Sequence, residues 1–139
     1  MRKRSFFTGF VFVIFIGLFL TGCASGNYIF DKSIPKENLS VLKLPLALSV
    51  VKFDDKDVKW QPGFGYYTDS TTTAATVKIP SGEHTLIVNY YIQKRNGQFT
   101  ETTTAKGIEV KYDFQPGITY KLSSHMVGYN KIAVIVEKY

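Results

Sequence analysis

Residues 85–97 read TLIVNYYIQKRNG, and the alternation within this stretch decides the fold. Every second residue of its first part is large and apolar: Leu86, Val88, Tyr90 and Ile92. Because side chains along a strand point to alternate sides, these four share one face. Asn96-Gly97 follows and favours a two-residue type I′ hairpin turn. We therefore predict a half-buried strand over residues 85–93 and an antiparallel return over residues 99–104.

The same alternation continues toward the C-terminus. After Gly107, three sets of apolar residues are predicted to face inward: Ile108, Val110, Tyr112 and Phe114, then Ile118, Tyr120 and Leu122, and finally Ile132, Val134 and Val136. Gln115-Pro116-Gly117 separates the first two sets and is typical of a turn. Residues 125–130 are predicted to be irregular, and the last set forms a closing strand.

The N-terminal half has a less regular pattern. Leucines alternate from residue 42 to 48, but Val51 and Phe53 continue on the opposite phase, which predicts a bulge or a change of partner near Val50. Pro45 lacks an N–H and indicates an edge strand or a strand start. Turns are predicted at residues 54–57 and at Pro80-Ser81-Gly82. Val77 and Ile79 share a face of the strand that ends at the second of these turns.

These segments predict the fold class. Seven to nine short strands with regularly spaced turn signals, no helical period and no βαβ unit indicate an all-β protein. We expect an antiparallel β-sandwich of the Ig-like or transthyretin-like kind, preceded by a signal peptide. The predicted domains are a removed segment (1–22), a lipidated cysteine with its tether (23–37) and the sandwich (38–139). Within the tether, Tyr28-Ile29-Phe30 either adds a first strand or packs as an anchor.

The first 23 residues have a targeting pattern. Arg2, Lys3 and Arg4 precede an apolar stretch over residues 6–20. As a helix this stretch spans roughly 22 Å, short of the roughly 30 Å of a bilayer core, so a signal peptide is favoured over a permanent membrane span. Leu20-Thr21-Gly22-Cys23 then resembles the lipobox of bacterial lipoproteins cleaved by signal peptidase II.

This resemblance implies a lipid anchor. Cys23 becomes the first residue of the mature chain and carries a diacylglyceryl thioether, usually with an acylated amino group, and two or more acyl chains give stable membrane attachment. No other cofactor is expected. Because the next residue is Ala24 and not Asp, the family's sorting rule favours the outer membrane if the cell has two.

Removal of the signal peptide changes the charge. Three of the 17 basic residues lie within residues 1–22 and none of the 11 acidic ones does, so the mature chain has 14 basic and 11 acidic residues. The weak surplus and the exported location argue against nucleic acid as a partner. With its only cysteine lipidated, the mature domain has no disulfide, and burial alone must stabilise it.

A second resemblance covers roughly the latter half of the mature chain. The strand, turn and strand over residues 77–88, with Pro80-Ser81-Gly82 and His84, are similar to PEGA-like and carboxypeptidase-regulatory-like β-sandwiches. There, a Gly-x-His turn delivers the chain into a central strand. Residues 114–120 have the same order of a strand, a Pro-Gly turn and a new strand. The resemblance implies a non-catalytic sandwich of the kind found in envelope proteins, with no active site to carry over.

The sequence contains few candidates for catalysis or metal binding. Asp54, Asp55 and Asp57 crowd three carboxylates together, but the glycine and glutamate of an EF-hand are missing, which favours a solvated turn. His84 and His125 have no metal-ligand spacing, and no Gly-x-Ser-x-Gly motif occurs. We therefore expect no catalytic or metal-binding residues and a protein that is not an enzyme, with a small envelope hydrolase or a lysozyme-type inhibitor as alternatives.

An aromatic group is the candidate binding site. It comprises Trp60, Phe64, Tyr66 and Tyr67. Aromatic residues are enriched at binding surfaces, so these four form a possible platform for a glycan or peptide. The other interpretation is that Trp60 and alternate partners fill the core. The preferred function is a lipid-anchored envelope protein with a binding or structural role, whose partners are the membrane and an envelope protein or glycan.

Overall fold

The computed structural model describes residues 26–60 and 72–139, and most of these residues belong to β-strands. The nine strands of this part are β1 (Gly26–Ile29), β2 (Leu39–Pro45), β3 (Leu48–Phe53), β4 (Lys56–Trp60), β5 (Thr73–Pro80), β6 (Gly82–Asn96), β7 (Phe99–Phe114), β8 (Thr119–Val127) and β9 (Lys131–Lys138). The strands form two sheets with one apolar core between them. The predicted all-β sandwich is confirmed.

The two sheets differ in strand direction. The smaller has the order β4-β3-β6-β7 and is antiparallel throughout. The larger has the order β1-β5-β2-β8-β9 and is mixed, because β1 runs parallel to β5 and β2 runs parallel to β8. The antiparallel arrangement that the sequence predicts therefore holds for the smaller sheet, whereas the larger sheet also contains two parallel pairs.

The sandwich has two distinct ends. At one, which we call the arch end, the chain crosses between the sheets twice, through Ser81 from β5 to β6 and through residues 115–118 from β7 to β8. At the other, which we call the hairpin end, β6–β7 and β8–β9 close as hairpins. A third crossing, through Leu46 and Ala47 from β2 to β3, also lies at the hairpin end.

The core contains the apolar alternation expected from the sequence. Its fully enclosed large side chains are Tyr120, Phe53, Phe114, Leu42, Leu44, Leu48, Ile79, Leu86, Leu122, Val50, Val77 and Val88. Ile108, Tyr112, Ile118, Val134 and Val136 pack against this core and are partly buried. Burial of each such side chain stabilises the fold by about 1.5–3 kcal/mol.

Irregularities in β2 and β3 explain the change of phase in the N-terminal half. The register of β3 shifts between Val50 and Lys52 against both of its neighbours, which confirms the predicted bulge. Pro45 was predicted to mark an edge strand or a strand start, and this is wrong, because β2 is the middle strand of its sheet. The sheet tolerates proline there because Pro45 ends the strand, at a register shift after Leu44.

Two of the predicted turns connect neighbouring antiparallel strands. Asp54 and Asp55 connect β3 to β4 with φ angles of 46° and 64°, the signs of a type I′ turn. The β6–β7 hairpin is confirmed, but its loop residues are Gly97 and Gln98 instead of Asn96-Gly97. Positive φ at Gly97 alone matches type II′ instead of the predicted type I′.

The region predicted to be irregular, residues 125–130, is mostly regular. β8 continues to Val127 and pairs with β9 along its whole length from Tyr120. Only residues 128–130 form a loop. The irregular prediction was wrong because the polar residues Ser123, Ser124 and His125 interrupt the apolar alternation without interrupting the backbone pairing.

The sandwich also begins earlier than the predicted boundary at residue 38. β1 pairs with β5 from Gly26, within the predicted tether, and the Phe30 N–H then donates to the carbonyl oxygen of Lys78 at 2.9 Å. Tyr28-Ile29-Phe30 therefore adds to a first strand, which was one of the two expectations. Gly26 and Asn27 are not apolar residues, so hydrophobic alternation in the sequence does not reveal their backbone pairing.

Candidate functional site

The residues predicted to be functional fall in different parts of the chain. Cys23 and three members of the aromatic group, Phe64, Tyr66 and Tyr67, lie outside the described residues. Trp60 is the one member of that group that the structure describes, and it ends β4. The structure therefore bears on the aromatic group through Trp60 alone.

Trp60 belongs to the core, with 5 % of its surface exposed. Its ring meets Phe30 edge-on at a centroid distance of 5.5 Å and lies 5.6 Å from Phe53. This is the core-filling interpretation, and a ring enclosed in this way offers no face to a ligand. Replacement of a core tryptophan by alanine costs about 3–5 kcal/mol, so Trp60→Ala reports on stability and not on binding.

The hairpin end projects beyond the sandwich. Tyr90 is the last residue of β6 paired with β3, opposite Leu48, and β6 continues for six residues, or about 20 Å. Lys121 is the last residue of β8 paired with β2, and β8 also continues for six residues. We call residues 91–106 and 123–135 the two projecting hairpins.

The projecting hairpins carry much of the exposed apolar surface of the described chain. Four of these side chains lie near the hairpin tips: Phe99, Met126, Val127 and Tyr129. Phe99 is 80 % exposed and Tyr129 is fully exposed. Exposed large apolar groups that lie together at one end of a domain mark a contact surface more often than scattered ones do.

The register places two of these side chains on facing surfaces. Phe99 is opposite Asn96 and shares a face with the buried Ile92. Met126 is opposite Ile132, which is also buried. Ile92 and Ile132 thus belong to the buried core, while Phe99 and Met126, on the same faces, are exposed to solvent.

Basic residues accompany this apolar surface. The projecting hairpins contain four of them, Lys94, Arg95, Lys106 and Lys131, and a single acidic residue, Glu101. Elsewhere in residues 26–60 and 72–139 there are ten basic and nine acidic residues, so the remainder of the described chain is close to neutral. The positive surplus of the described chain is concentrated at the hairpin end.

The start of β1 lies at this same end. Gly26 pairs with Ala75, which pairs with Leu44 near the end of β2. The parallel pairing of Lys43 with Lys121 puts Leu122 level with Leu44, so β8 continues five residues, or about 17 Å, past the level of Gly26. The chain that precedes Gly26 therefore joins the fold beside the projecting hairpins.

The arch end has a polar cluster around His84. Its Nδ1 lies 2.5 Å from Oδ2 of Asp54, and its Nε2 lies 3.3 Å from the carbonyl oxygen of Ser81. The Thr85 N–H donates to the other carboxylate oxygen of Asp54 at 2.9 Å. The imidazole also stacks against Phe53 with centroids 4.6 Å apart. The cluster ties the β3–β4 turn to the arch at Ser81.

The electrostatics of this cluster favour an ionised carboxylate. Partial burial raises the pKa of Asp54, but the hydrogen bonds from Thr85 and His84 and the nearby charges of His84 and Lys56 together outweigh burial and lower it. Both nitrogens of His84 face protein acceptors, which leaves neither free to take a proton from a substrate. The cluster therefore suits a structural role better than general base catalysis.

Within 26–60 and 72–139, no group of three or more His, Cys, Asp or Glu side chains is placed to hold a metal ion. Of the turn predicted at residues 54–57, only Asp54 and Asp55 form the turn, because Lys56 and Asp57 already belong to β4. No helix in the described part of the chain has the length and apolar character required to cross a membrane.

Sequence reasoning missed the exposed residues of the projecting hairpins. Phe99 was expected within a returning strand, and Met126 and Tyr129 within an irregular region. The signal that distinguishes them is the length of the strands, since β6 and β7 have 15 and 16 residues while β3 has six. Comparison of the sequence with protein-family models found no matching family, and comparisons with curated proteins and with solved structures found no match.

Proposed function

We propose that this protein is a lipid-anchored component of a bacterial cell envelope, with a non-catalytic β-sandwich that acts as a binding or structural module. The observation that carries the proposal is Leu20-Thr21-Gly22-Cys23, placed directly after a basic segment and an apolar stretch of signal-peptide length. In this proposal Cys23 carries the lipid, and the membrane is the first partner of the protein.

The position of β1 supports an anchor at Cys23. Only Ala24 and Ser25 separate that cysteine from the first residue of β1. Three extended steps from Cys23 to Gly26 span at most about 10 Å. A lipid on Cys23 holds the sandwich against the bilayer surface, with the hairpin end toward the membrane and the arch end away from it.

The polar chemistry of the described residues supports a non-catalytic role. The His84 imidazole and the Asp54 carboxylate are engaged with each other and with backbone groups of Ser81 and Thr85. Trp60 is enclosed in the core, which favours this role over a receptor that uses Trp60 as a stacking platform. A receptor role then depends on other surfaces.

Metabolic labelling with radioactive palmitate in a bacterial host tests the anchor. We expect the wild-type chain to take up label and to sediment with membranes, whereas Cys23→Ser remains unlabelled and keeps its signal peptide. Ser25→Ala is the matched control, because it alters the same linker and leaves the thiol in place. Labelling of Cys23→Ser at the wild-type level would contradict the proposal.

The membrane in question can be tested separately in a host with two membranes. We propose that Ala24 directs the lipoprotein to the outer membrane. Density-gradient separation of the two membranes should find the wild-type chain in the outer fraction and Ala24→Asp in the inner one. An identical distribution of the two chains would contradict the sorting role of residue 24 without affecting the anchor.

A further inference from the structure

We propose that the two projecting hairpins dock onto the anionic surface of the membrane that holds the anchor. In the docked state, Phe99, Met126 and Tyr129 enter the interfacial layer, and the basic side chains of the same hairpins meet lipid headgroups. This inference rests on the proposed lipid at Cys23 and goes beyond it, because it assigns a second membrane contact to the folded domain.

The β8–β9 hairpin reaches farther toward the membrane than the linker does. The linker from Cys23 to Gly26 spans at most about 10 Å. β8, in the same sheet as β1, continues about 17 Å past the level of Gly26, toward the side from which the linker arrives. Because the hairpin projects farther than the linker extends, an anchor in the bilayer brings the hairpin tip to the headgroup layer.

The hairpin tips carry side chains that suit a membrane interface. Aromatic side chains such as Phe99 and Tyr129 belong to the residue types that settle at the boundary between headgroups and acyl chains. Met126 and Val127 add aliphatic surface that water solvates poorly. The apolar groups of the tips therefore match the interfacial layer in both type and position.

The charge of the projecting hairpins also favours an anionic surface. The projecting hairpins hold four of the basic residues and one acidic residue, in a described chain that is otherwise almost balanced. Anionic lipids attract such clusters, and the attraction declines with salt. At the arch end, Asp54, Asp55 and Glu83 lie near Lys56, so the turns there have no comparable surplus of basic residues. Charge thus distinguishes one end of the sandwich from the other.

A site-specific label tests the docking in the whole lipidated protein. Because Cys23 is the only cysteine and its thiol carries the lipid, a cysteine introduced elsewhere is the single free thiol. We choose Phe99→Cys and Tyr129→Cys at the hairpin tips. Tyr139→Cys is the matched control, since Tyr139 is also exposed but lies at the arch end, where its N–H donates to Thr119.

Each variant is labelled with nitrobenzoxadiazole and reconstituted into phosphatidylcholine vesicles, with or without phosphatidylglycerol, that contain a nitroxide-bearing lipid as quencher. We expect the nitroxide to quench labels at positions 99 and 129 at least about twofold more than the label at 139 when phosphatidylglycerol is present. Reversal of charge by Lys94→Glu and Arg95→Glu changes the charge by two units at each position. It should lower the ratio of docked to undocked protein by roughly fivefold per unit of charge, or about 25-fold per residue, at low salt.

The outcomes separate the two proposals. Vesicles that float with the protein but give equal quenching at all three positions would overturn the docking and leave the anchor intact. Protein that fails to float with vesicles contradicts the anchor, and the docking that rests on it. If quenching at positions 99 and 129 does not depend on phosphatidylglycerol or on the charge reversals, the assignment of an anionic surface is contradicted.

Discussion

At the arch end, polar side chains join segments that are distant in sequence, whereas at the hairpin end neighbouring strands project with apolar side chains in solvent. The buried Ser40 hydroxyl donates to the carbonyl oxygen of Gln115 at 2.8 Å, and the Tyr120 hydroxyl accepts the Gln115 N–H at 2.9 Å. At the other end, Phe99 and Tyr129 have most of their surface in water. One end closes the core, and the other leaves an apolar surface uncovered.

The difference indicates a division of labour within a small domain. In the described residues, every buried side-chain nitrogen or oxygen has a hydrogen-bond partner, so the closed end carries no unpaired polar cost. The projecting hairpins contribute little to that closure. Substitutions at the arch end are therefore expected to affect folding, and those at the hairpin tips to affect contacts with other molecules.

Two phenylalanines at opposite ends of β7 give the largest test of this contrast. Phe114 is 1 % exposed and packs on Tyr112 and Tyr120, whereas Phe99 is 80 % exposed. We expect Phe114→Ala to lower the free energy of unfolding in urea by about 3–5 kcal/mol. Phe99→Ala should change it by less than about 0.5 kcal/mol.

If Phe114→Ala and Phe99→Ala lowered the free energy of unfolding by similar amounts, the contrast between the arch end and the hairpin end would be contradicted. If Phe114→Ala does not fold, Phe114→Leu provides a milder version, with an expected loss of roughly 1–2 kcal/mol because the side chain remains apolar and shrinks only in part. Circular dichroism at neutral pH verifies that each variant retains its strands before the unfolding curves are compared.

The Asp54 cluster gives the next largest effect. Asp54→Asn keeps an acceptor for the Thr85 N–H but removes the charge that faces His84. Since 44 % of the Asp54 side chain is exposed, solvent screening reduces the loss, and we expect about 1 kcal/mol in urea unfolding. Asp55→Asn is the matched control from the same turn and should be nearly neutral. Equal effects would assign the loss to the turn and not to the pair with His84.

Gly107 marks the junction between the sandwich and the long projecting hairpin. β7 has one extra residue there relative to β6, the φ of Gly107 is 69°, and its N–H donates to the Asn89 side chain. Gly107→Ala should cost about 1 kcal/mol through backbone strain, because no neighbouring atom lies within contact of a new Cβ. Thermal unfolding of both variants checks this prediction. Lys106→Ala, a substitution of the exposed neighbouring residue, should be neutral in that measurement.

The smallest expected effect is a dependence on pH. The folded-state pKa of Asp54 lies below the ordinary value of 3.8, so the unfolded chain binds more protons in that interval and stability rises with pH across it. The contribution is complete above 3.8 and is lost as the pH falls through the folded value. The difference in stability between wild type and Asp54→Asn should therefore be constant near neutral pH and shrink in acid. A difference that grows in acid would contradict the assignment.

Much of the fold could be predicted because burial along a strand is a local property. The alternation of Leu86, Val88 and Tyr90 follows from a period of two whatever the partner strand is. Sheet membership is a long-range property and could not be predicted. The Pro-Gly segments at residues 80–82 and 115–117 have the composition of hairpin turns, yet both carry the chain from one sheet to the other.

The candidate surface was harder to predict than the core for a related reason. Phe99 and Met126 occupy the same alternating face as buried residues, so alternation alone does not distinguish them from residues of the core. They are exposed because β6–β7 and β8 extend beyond the ends of β3 and β2, the neighbouring strands in the two sheets. That comparison of lengths requires the pairing of β3 with β6 and of β2 with β8, which no local pattern contains.

The parallel pairing of β1 with β5 has a mechanical consequence. A pull on the proposed anchor acts along the axis of β1, at right angles to the hydrogen bonds that join Gly26–Ile29 to β5 and that continue through Phe30. Those hydrogen bonds are therefore loaded together, in shear, and do not open one after another. A strand of only four residues can in this way transmit tension from a lipid to the body of the domain.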